Sequence, residues 1–336
     1  MRLAAFLLCL FAATAAFAQD APGPLPDGMI VASRAYDPPI DSYEALVARL
    51  AAQPKADPSD PDFDETAFRR ARPPELFDAL QRREIRAERI IYASDGLKIE
   101  GYVVRPSVVR SPAPVVIYAR GGNGAFGEIG LVQVLDMAGW ARRGYVVLAT
   151  NYRGSSGSEG RDEYGGADVA DLLALFDVAR QVEGADMGNV FLIGVSRGGM
   201  MVYRALAEGA PVRAAAVIGG LSDLESTARE RPRMLKLFRG VMPDFEAEQA
   251  SSFCRRSAVC WPRAIAAPVL ILHGSADRRV GVGDARRLAE AMREAGREVE
   301  LVEFDGGDHG LSRSLTDAWD RTFKFFEAHR AQPTAP

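Results

Sequence analysis

Apolar residues recur along this chain as short unbroken runs set between stretches of helical spacing. Val115-Val116-Ile117-Tyr118, Tyr145 to Ala149, Val190-Phe191-Leu192-Ile193, Ala215-Ala216-Val217-Ile218 and Val269-Leu270-Ile271-Leu272 show no alternation, as expected of strands buried on both faces. Val299 to Phe304 supplies a last strand. Leu131 to Arg143 and Ala167 to about Val182 have helical spacing, and Trp319, Phe323 and Phe326 mark a closing amphipathic helix. Arg89 to Tyr92 and Ile99 to Val104 flank Ser94-Asp95-Gly96, which predicts an antiparallel hairpin at the start of the sheet. Strands alternating with helices predict an α/β protein with a mostly parallel central sheet and helices on both faces. Its functional site is expected beyond the carboxyl ends of the strands.

The pattern also divides the chain. Residues 19–86 are rich in proline and carry short helical segments, one opened by Asp41-Ser42-Tyr43-Glu44 and another by Pro74-Glu75-Leu76-Phe77. They read as an arm ahead of a catalytic domain spanning residues 87–331. Within that domain, residues 221–263 are rich in charge, show a helical pattern around Met234 to Phe238, and fall between two strands. A small cap insertion that walls the pocket is expected there, with an elaboration on the far edge as the alternative.

Composition adds an address. Residues 1–18 begin with one arginine, continue as a short apolar run and end in Ala16-Phe17-Ala18, the layout of a cleaved signal peptide with the mature chain starting at Gln19. Export leaves Cys254 and Cys260 where disulfides persist, and one bridge between them is expected, with two free thiols as the alternative. A net charge of −4 without a basic stripe gives no reason to expect nucleic acid as a partner. The apolar run is too short to span a membrane, so no membrane attachment is expected after cleavage. No metal or organic cofactor is expected, because the three histidines are scattered.

The chemistry concentrates at Gly194-Val195-Ser196-Arg197-Gly198, where an apolar strand runs into Gly-x-Ser-x-Gly and straight on into a helix pattern. That order predicts a nucleophile elbow with Ser196 on a strained turn and its hydroxyl exposed. Serine needs a base oriented by a carboxylate. His309, in a flexible loop past the last strand, is the expected base; His273 and His329 are expected to be structural or solvent-facing. Asp277, after the penultimate strand, is the expected acid in the chain order serine, acid, histidine, with Asp305 and Asp308 as competitors.

Gly194-Val195-Ser196-Arg197-Gly198-Gly199, His273-Gly274-Ser275-Ala276-Asp277-Arg278-Arg279-Val280 and Gly307-Asp308-His309-Gly310 resemble the catalytic domain of the prolyl oligopeptidase family, from about Arg89 to Arg330. Asn151-Tyr152-Arg153-Gly154-Ser155 and Gly165 to Asp171 are similar to it as well. The resemblance implies an α/β-hydrolase fold and a serine peptidase working through an acyl-enzyme on Ser196, with a carboxylesterase acting on small esters as the rival. It implies oxyanion donors at the backbone N–H groups of Gly122 and Arg197, with Gly121 as a lesser candidate. Two departures accompany it: the arm is too short for the family's β-propeller, and Arg120 stands where histidine or tyrosine usually precedes the oxyanion-loop glycines. Arg120 is expected to be a structural salt-bridge partner of a nearby acid, with contact to the oxyanion or to a substrate carboxylate as alternatives. A binding protein on a decayed hydrolase scaffold is disfavoured, because Ser196, Asp277 and His309 are all present.

Overall fold

The computed structural model describes residues 25–55, 61–109 and 112–331; the segment expected to be a signal peptide lies outside them. Strand β1 (Ile30–Ala35) is followed by helices α1 (Tyr43–Ala52), α2 (Glu65–Ala71) and α3 (Pro74–Gln81). Ser42 and Asp64 cap α1 and α2 with their side chains, and Pro74 opens α3 where its missing N–H costs nothing. Strands β2 (Ile85–Ser94) and β3 (Leu97–Pro106) form the expected hairpin. Its two turn residues, Asp95 and Gly96, both have positive φ, which matches the right-handed twist of the flanking strands.

The alternating part follows as β4 (Ala113–Ala119), α4 (Leu131–Arg142), β5 (Val146–Thr150), α5 (Val169–Leu173), α6 (Leu175–Arg180), β6 (Ala185–Val195), α7 (Arg197–Ala207) and β7 (Ala214–Ile218). The single helix expected from Ala167 to Val182 is broken at Ala174, whose carbonyl accepts the Asp177 N–H in a tightened three-residue turn. Helices α8 (Leu224–Glu230), α9 (Pro232–Val241) and α10 (Gln249–Arg256) and two short 3₁₀ turns make up the insertion. Strand β8 (Val269–Gly274), α11 (Val282–Glu294), β9 (Val299–Phe304) and α12 (Leu315–Ala328) complete the chain.

The strands form one sheet in the order β1-β2-β3-β5-β4-β6-β7-β8-β9. β1, β2 and β3 pair antiparallel, as do β3 and β5, and every pairing from β5 to β9 is parallel. Successive residues of β4 point to opposite faces, so Ile117 joins one hydrophobic core with Leu192 and Met201 while Val116 joins the other with Ile193 and Trp140. This is an α/β-hydrolase fold with a mixed, mostly parallel sheet.

β1 lies inside the arm and was not anticipated. Its side chains are largely exposed, so it has neither an apolar run nor an alternation to betray it; what makes it a strand is the row of hydrogen-bonding groups on β2. The arm also enters the second core through Phe68, Leu76 and Phe77, and Arg72 bonds Asp136 of α4 at 2.8 Å. Cys254 and Cys260 are joined by a disulfide.

Candidate active site

β6 delivers Ser196 to the carboxyl edge of the sheet, and α7 leaves from the next residue. Ser196 sits at φ 57° and ψ −122°, a conformation that costs a non-glycine residue about 1–3 kcal/mol and is characteristic of functional turns. The turn closes because its glycines have no side chains: a Cβ on Gly198 would lie 1.9 Å from the Ala119 carbonyl oxygen, and one on Gly194 would lie 2.4 Å from that of Gly198. The Ile218 carbonyl at the end of β7 accepts the Ser196 N–H at 2.9 Å, which ties the serine to the neighbouring strand.

Gly219, the residue just after that strand, brings in the other two groups. A Cβ there would stand 2.8 Å from the His309 carbonyl oxygen, 3.2 Å from its Nδ1 and 3.3 Å from Asp277 Oδ2, so a side chain at this position would displace the pair. Asp277 Oδ2 bonds His309 Nδ1 at 2.8 Å, and Oδ1 accepts the backbone N–H groups of Arg279 (2.7 Å) and Val280 (3.0 Å). Burial pushes the Asp277 carboxyl up, but hydrogen bonds from His273 and His309 outweigh it and hold the group well below the usual carboxylate range. Asp277 is therefore an acceptor, and the shared proton resides on Nδ1 of His309. Asp305 and Asp308 do not compete: Asp305 bonds Ser275 at 3.3 Å and Asp308 takes the Ser312 N–H at 2.8 Å. Among the described residues no hydrogen bond joins Ser196 to His309.

A Cβ on Gly121 would lie 3.1 Å from Ser196 Cβ and 3.7 Å from its Oγ, so the Gly121 backbone abuts the serine. The N–H of Arg197 opens α7, where first-turn N–H groups lack intrahelical acceptors. Arg120 is buried and structural, but its partners are not acids. Its guanidinium donates to the carbonyls of Gly121 (2.8 Å), Gly124 (2.8 Å), Phe126 (3.2 Å) and Asn151 (2.7 Å). This corrects the expected salt bridge: the loop from Gly121 to Phe126 curls around the guanidinium with its carbonyls inward, and those carbonyls supply the compensation that burial demands.

Three contributors went unrecognised in the sequence. The Arg197 side chain is 1% exposed and binds Asp162 through both terminal nitrogens, at 2.7 and 2.8 Å, and also Asp168. It lies over the rings of Tyr152 and Tyr164 and donates to the Gly122 carbonyl at 3.0 Å. Asp162 in turn accepts the Gly124 N–H at 2.8 Å, so the cluster grips the Gly122-to-Gly124 loop at two points. The available signal was an arginine placed inside a turn that must be buried, since such a charge requires carboxylates.

His273, expected to be structural, is fully buried and touches the same acid. Its Nε2 lies 2.9 Å from the Val280 carbonyl and 3.2 Å from Asp277 Oδ2, so that nitrogen carries the proton. Removing this donor makes Asp277 a stronger acceptor for the His309 proton. His273→Leu is expected to lower kcat/KM about tenfold and to move the acid limb of its pH profile upward, while His273→Gln, which keeps a donor, moves it less. A loss of melting temperature with an unmoved limb would leave His273 a packing residue. Because Asp277 is depressed in the folded protein, its contribution to stability is complete above the ordinary carboxylate value of about 4 and is lost as pH falls below it.

A cavity of about 760 Å³ opens beside His309, lined by the arm and by the loops that follow β8 and β9. None of its lining residues comes from 221–263, so the wall expected from the cap is supplied here by the arm. The insertion instead braces the acid loop from behind, with Arg231 donating to the Arg279 carbonyl at 2.9 Å.

Peptidase YtmA of Bacillus subtilis, described as uncharacterized, is 28% identical over 228 residues, covering 67% of this chain and 86% of its own. Esterase LipC of Mycobacterium tuberculosis is 26% identical over 258 residues, covering 71% of this chain and 64% of its own. Among solved structures, the acylaminoacyl peptidase of Pyrococcus horikoshii superposes with a TM-score of 0.63 at 23% identity, over 74% of this chain and 42% of that one. The likeness at that identity is one of fold. Residues 132–332 of the 336 match the prolyl oligopeptidase family, and the chain belongs to that family of serine hydrolases.

Proposed function

We propose that the protein is an exported serine peptidase that cleaves peptide or amide acyl bonds of small substrates through an acyl-enzyme on Ser196. The observation that carries this reading is the 2.8 Å His309–Asp277 pair held against the strand that also anchors the strained Ser196. Asp277 fixes the tautomer of His309 and leaves Nε2 as the basic nitrogen. His309 takes the Ser196 proton as Oγ attacks the acyl carbon. The backbone N–H groups of Gly122 and Arg197 receive the oxyanion. The C–N bond then breaks, and the leaving amine takes the proton from His309. Water, activated by the same imidazole, releases the acyl group.

Family membership supports a peptide substrate. Esterase LipC favours a second reading, ester hydrolysis by the same groups. Export is supported by residues 1–18 and by the Cys254–Cys260 disulfide. No helix among the described residues is long and apolar enough to cross a membrane. Amide and ester substrates sharing one acyl group, assayed with purified protein and with Ser196→Ala, test the reading. Amide hydrolysis that disappears in the variant is the expected result; ester hydrolysis alone would make the protein a carboxylesterase.

A further inference from the structure

The cavity beside His309 has walls from Leu50 of α1, from Phe63, from Phe68 of α2 and from the two loops carrying Arg278 and Asp308. Ser196 and the Gly121-Gly122 loop are not among its lining residues. In acyl transfer the imidazole hands its proton to the atom that leaves, whereas the acyl oxygen turns toward the oxyanion donors. A cavity lined by the histidine and not by the Gly121-Gly122 loop is therefore a site for the leaving group, given the mechanism proposed above.

The charges around the cavity are mostly matched. Lys55 pairs with Asp62 at 2.8 Å, Asp64 with Arg313 at 2.9 Å and Arg72 with Asp136 at 2.8 Å. Arg279 is engaged, and Asp308 accepts the Ser312 N–H. Among the cations that line the cavity, Arg278 is the exception. It follows the acid by one residue, lines the cavity, is exposed, and has no ion-pair or hydrogen-bond partner among the described residues. Guanidinium offers a planar fork of donors that matches a carboxylate.

We propose that Arg278 is a specificity-determining residue that binds the free C-terminal carboxylate of the leaving group. The cavity then takes a leaving amino acid or short peptide, with its side chain against Phe63 and Phe68 and its carboxylate on Arg278. The bonds made and broken are those of the reaction above: Oγ–C forms, C–N breaks, and the nascent amine receives the His309 proton. Release leaves a free amine and a free carboxylate in the cavity.

The test uses two matched pairs of substrates sharing one acyl group. One pair is an acyl dipeptide with its C-terminus free or amidated; the other is the acyl ester of glycolic acid or of glycolamide. The free carboxylate is expected to raise kcat/KM about tenfold or more in whichever bond type is cleaved. Arg278→Gln should erase that preference by raising KM for the carboxylate member alone, and Arg278→Lys should restore part of it. Cleavage of the ester pair alone, with the Arg278-dependent preference intact, keeps the subsite and overturns the peptide reading. Cleavage of the peptide pair without preference keeps the peptide reading and overturns the subsite. A loss in Arg278→Gln that falls equally on both members of a pair also overturns it.

Discussion

Ser196→Ala and His309→Ala are each expected to lower kcat by on the order of 10³-fold or more, and the double variant by little beyond that. The reason is geometric. Ser196 is held by the Ile218 carbonyl, and His309 is held by Asp277 and packed against Gly219, the residue after Ile218. If the two form one proton-transfer unit, removing either leaves the other without a task, and what survives comes from the oxyanion loop and from binding. Asp277→Asn is expected to cost less than either, yet still a large factor. An asparagine could keep the Arg279 and Val280 N–H bonds through its oxygen while presenting an amide donor to His309, which selects the wrong tautomer. Purified variants with unchanged melting temperature, assayed for kcat and KM, provide the check. Multiplicative losses in the double variant would dissolve the unit. Near-full activity of Asp277→Asn alongside an inactive Asp305→Asn or Asp308→Asn would move the acid elsewhere.

The largest effect on stability is expected from Arg197→Met. Two carboxylates, Asp162 and Asp168, face this guanidinium within the protein. Taking away one member of a buried ion cluster leaves charge uncompensated and costs about 3–5 kcal/mol. The pH dependence carries a sign. Burial pushes Asp162 up, but Arg197 holds it below the usual value, so with arginine present its contribution stands above pH ~4 and is lost below it. Without arginine, only the Gly124 and Tyr164 N–H groups still oppose burial, so the carboxyl rises and the penalty grows as pH increases. The deficit of Arg197→Met against wild type should therefore shrink between pH 7 and pH 4.5 in denaturant titrations. Replacing Asp162 and Asp168 by Asn in the same variant should recover part of the loss. Activity should fall as well, by about 10²-fold in kcat, because the Gly122 carbonyl and the Asp162–Gly124 bond both lose their anchor. A deficit that does not change with pH would mean that lost packing, rather than unpaired charge, dominates.

What could be read along the chain was whatever neighbouring residues decide among themselves. Buried strands announced themselves as apolar runs, because a strand covered on both faces needs them. The Asp95-Gly96 turn was legible because a two-residue hairpin demands positive φ at both places. The elbow was legible because strand, Gly-x-Ser-x-Gly and helix are contiguous. Asp277 and His309 could be proposed from loop positions and chain order, but their meeting at 2.8 Å is a contact between residues 32 apart. Tertiary structure alone decided the rest. β1 is a strand because β2 offers it an edge, not because its own residues prefer one. Arg197 and Arg120 look alike in sequence, one residue after the nucleophile and one before the oxyanion-loop glycines. One met carboxylates from a loop 35 and 29 residues earlier, and the other met backbone carbonyls. A buried charge must be compensated, and that much is elementary, but which groups arrive to do it is set by how distant loops pack. The arm follows the same logic: its prolines and short helices carry no sign of a wall, and it becomes one because Phe68 and Phe77 join the second core and thereby set Leu50, Phe63 and Phe68 in the lining of the cavity that His309 shares.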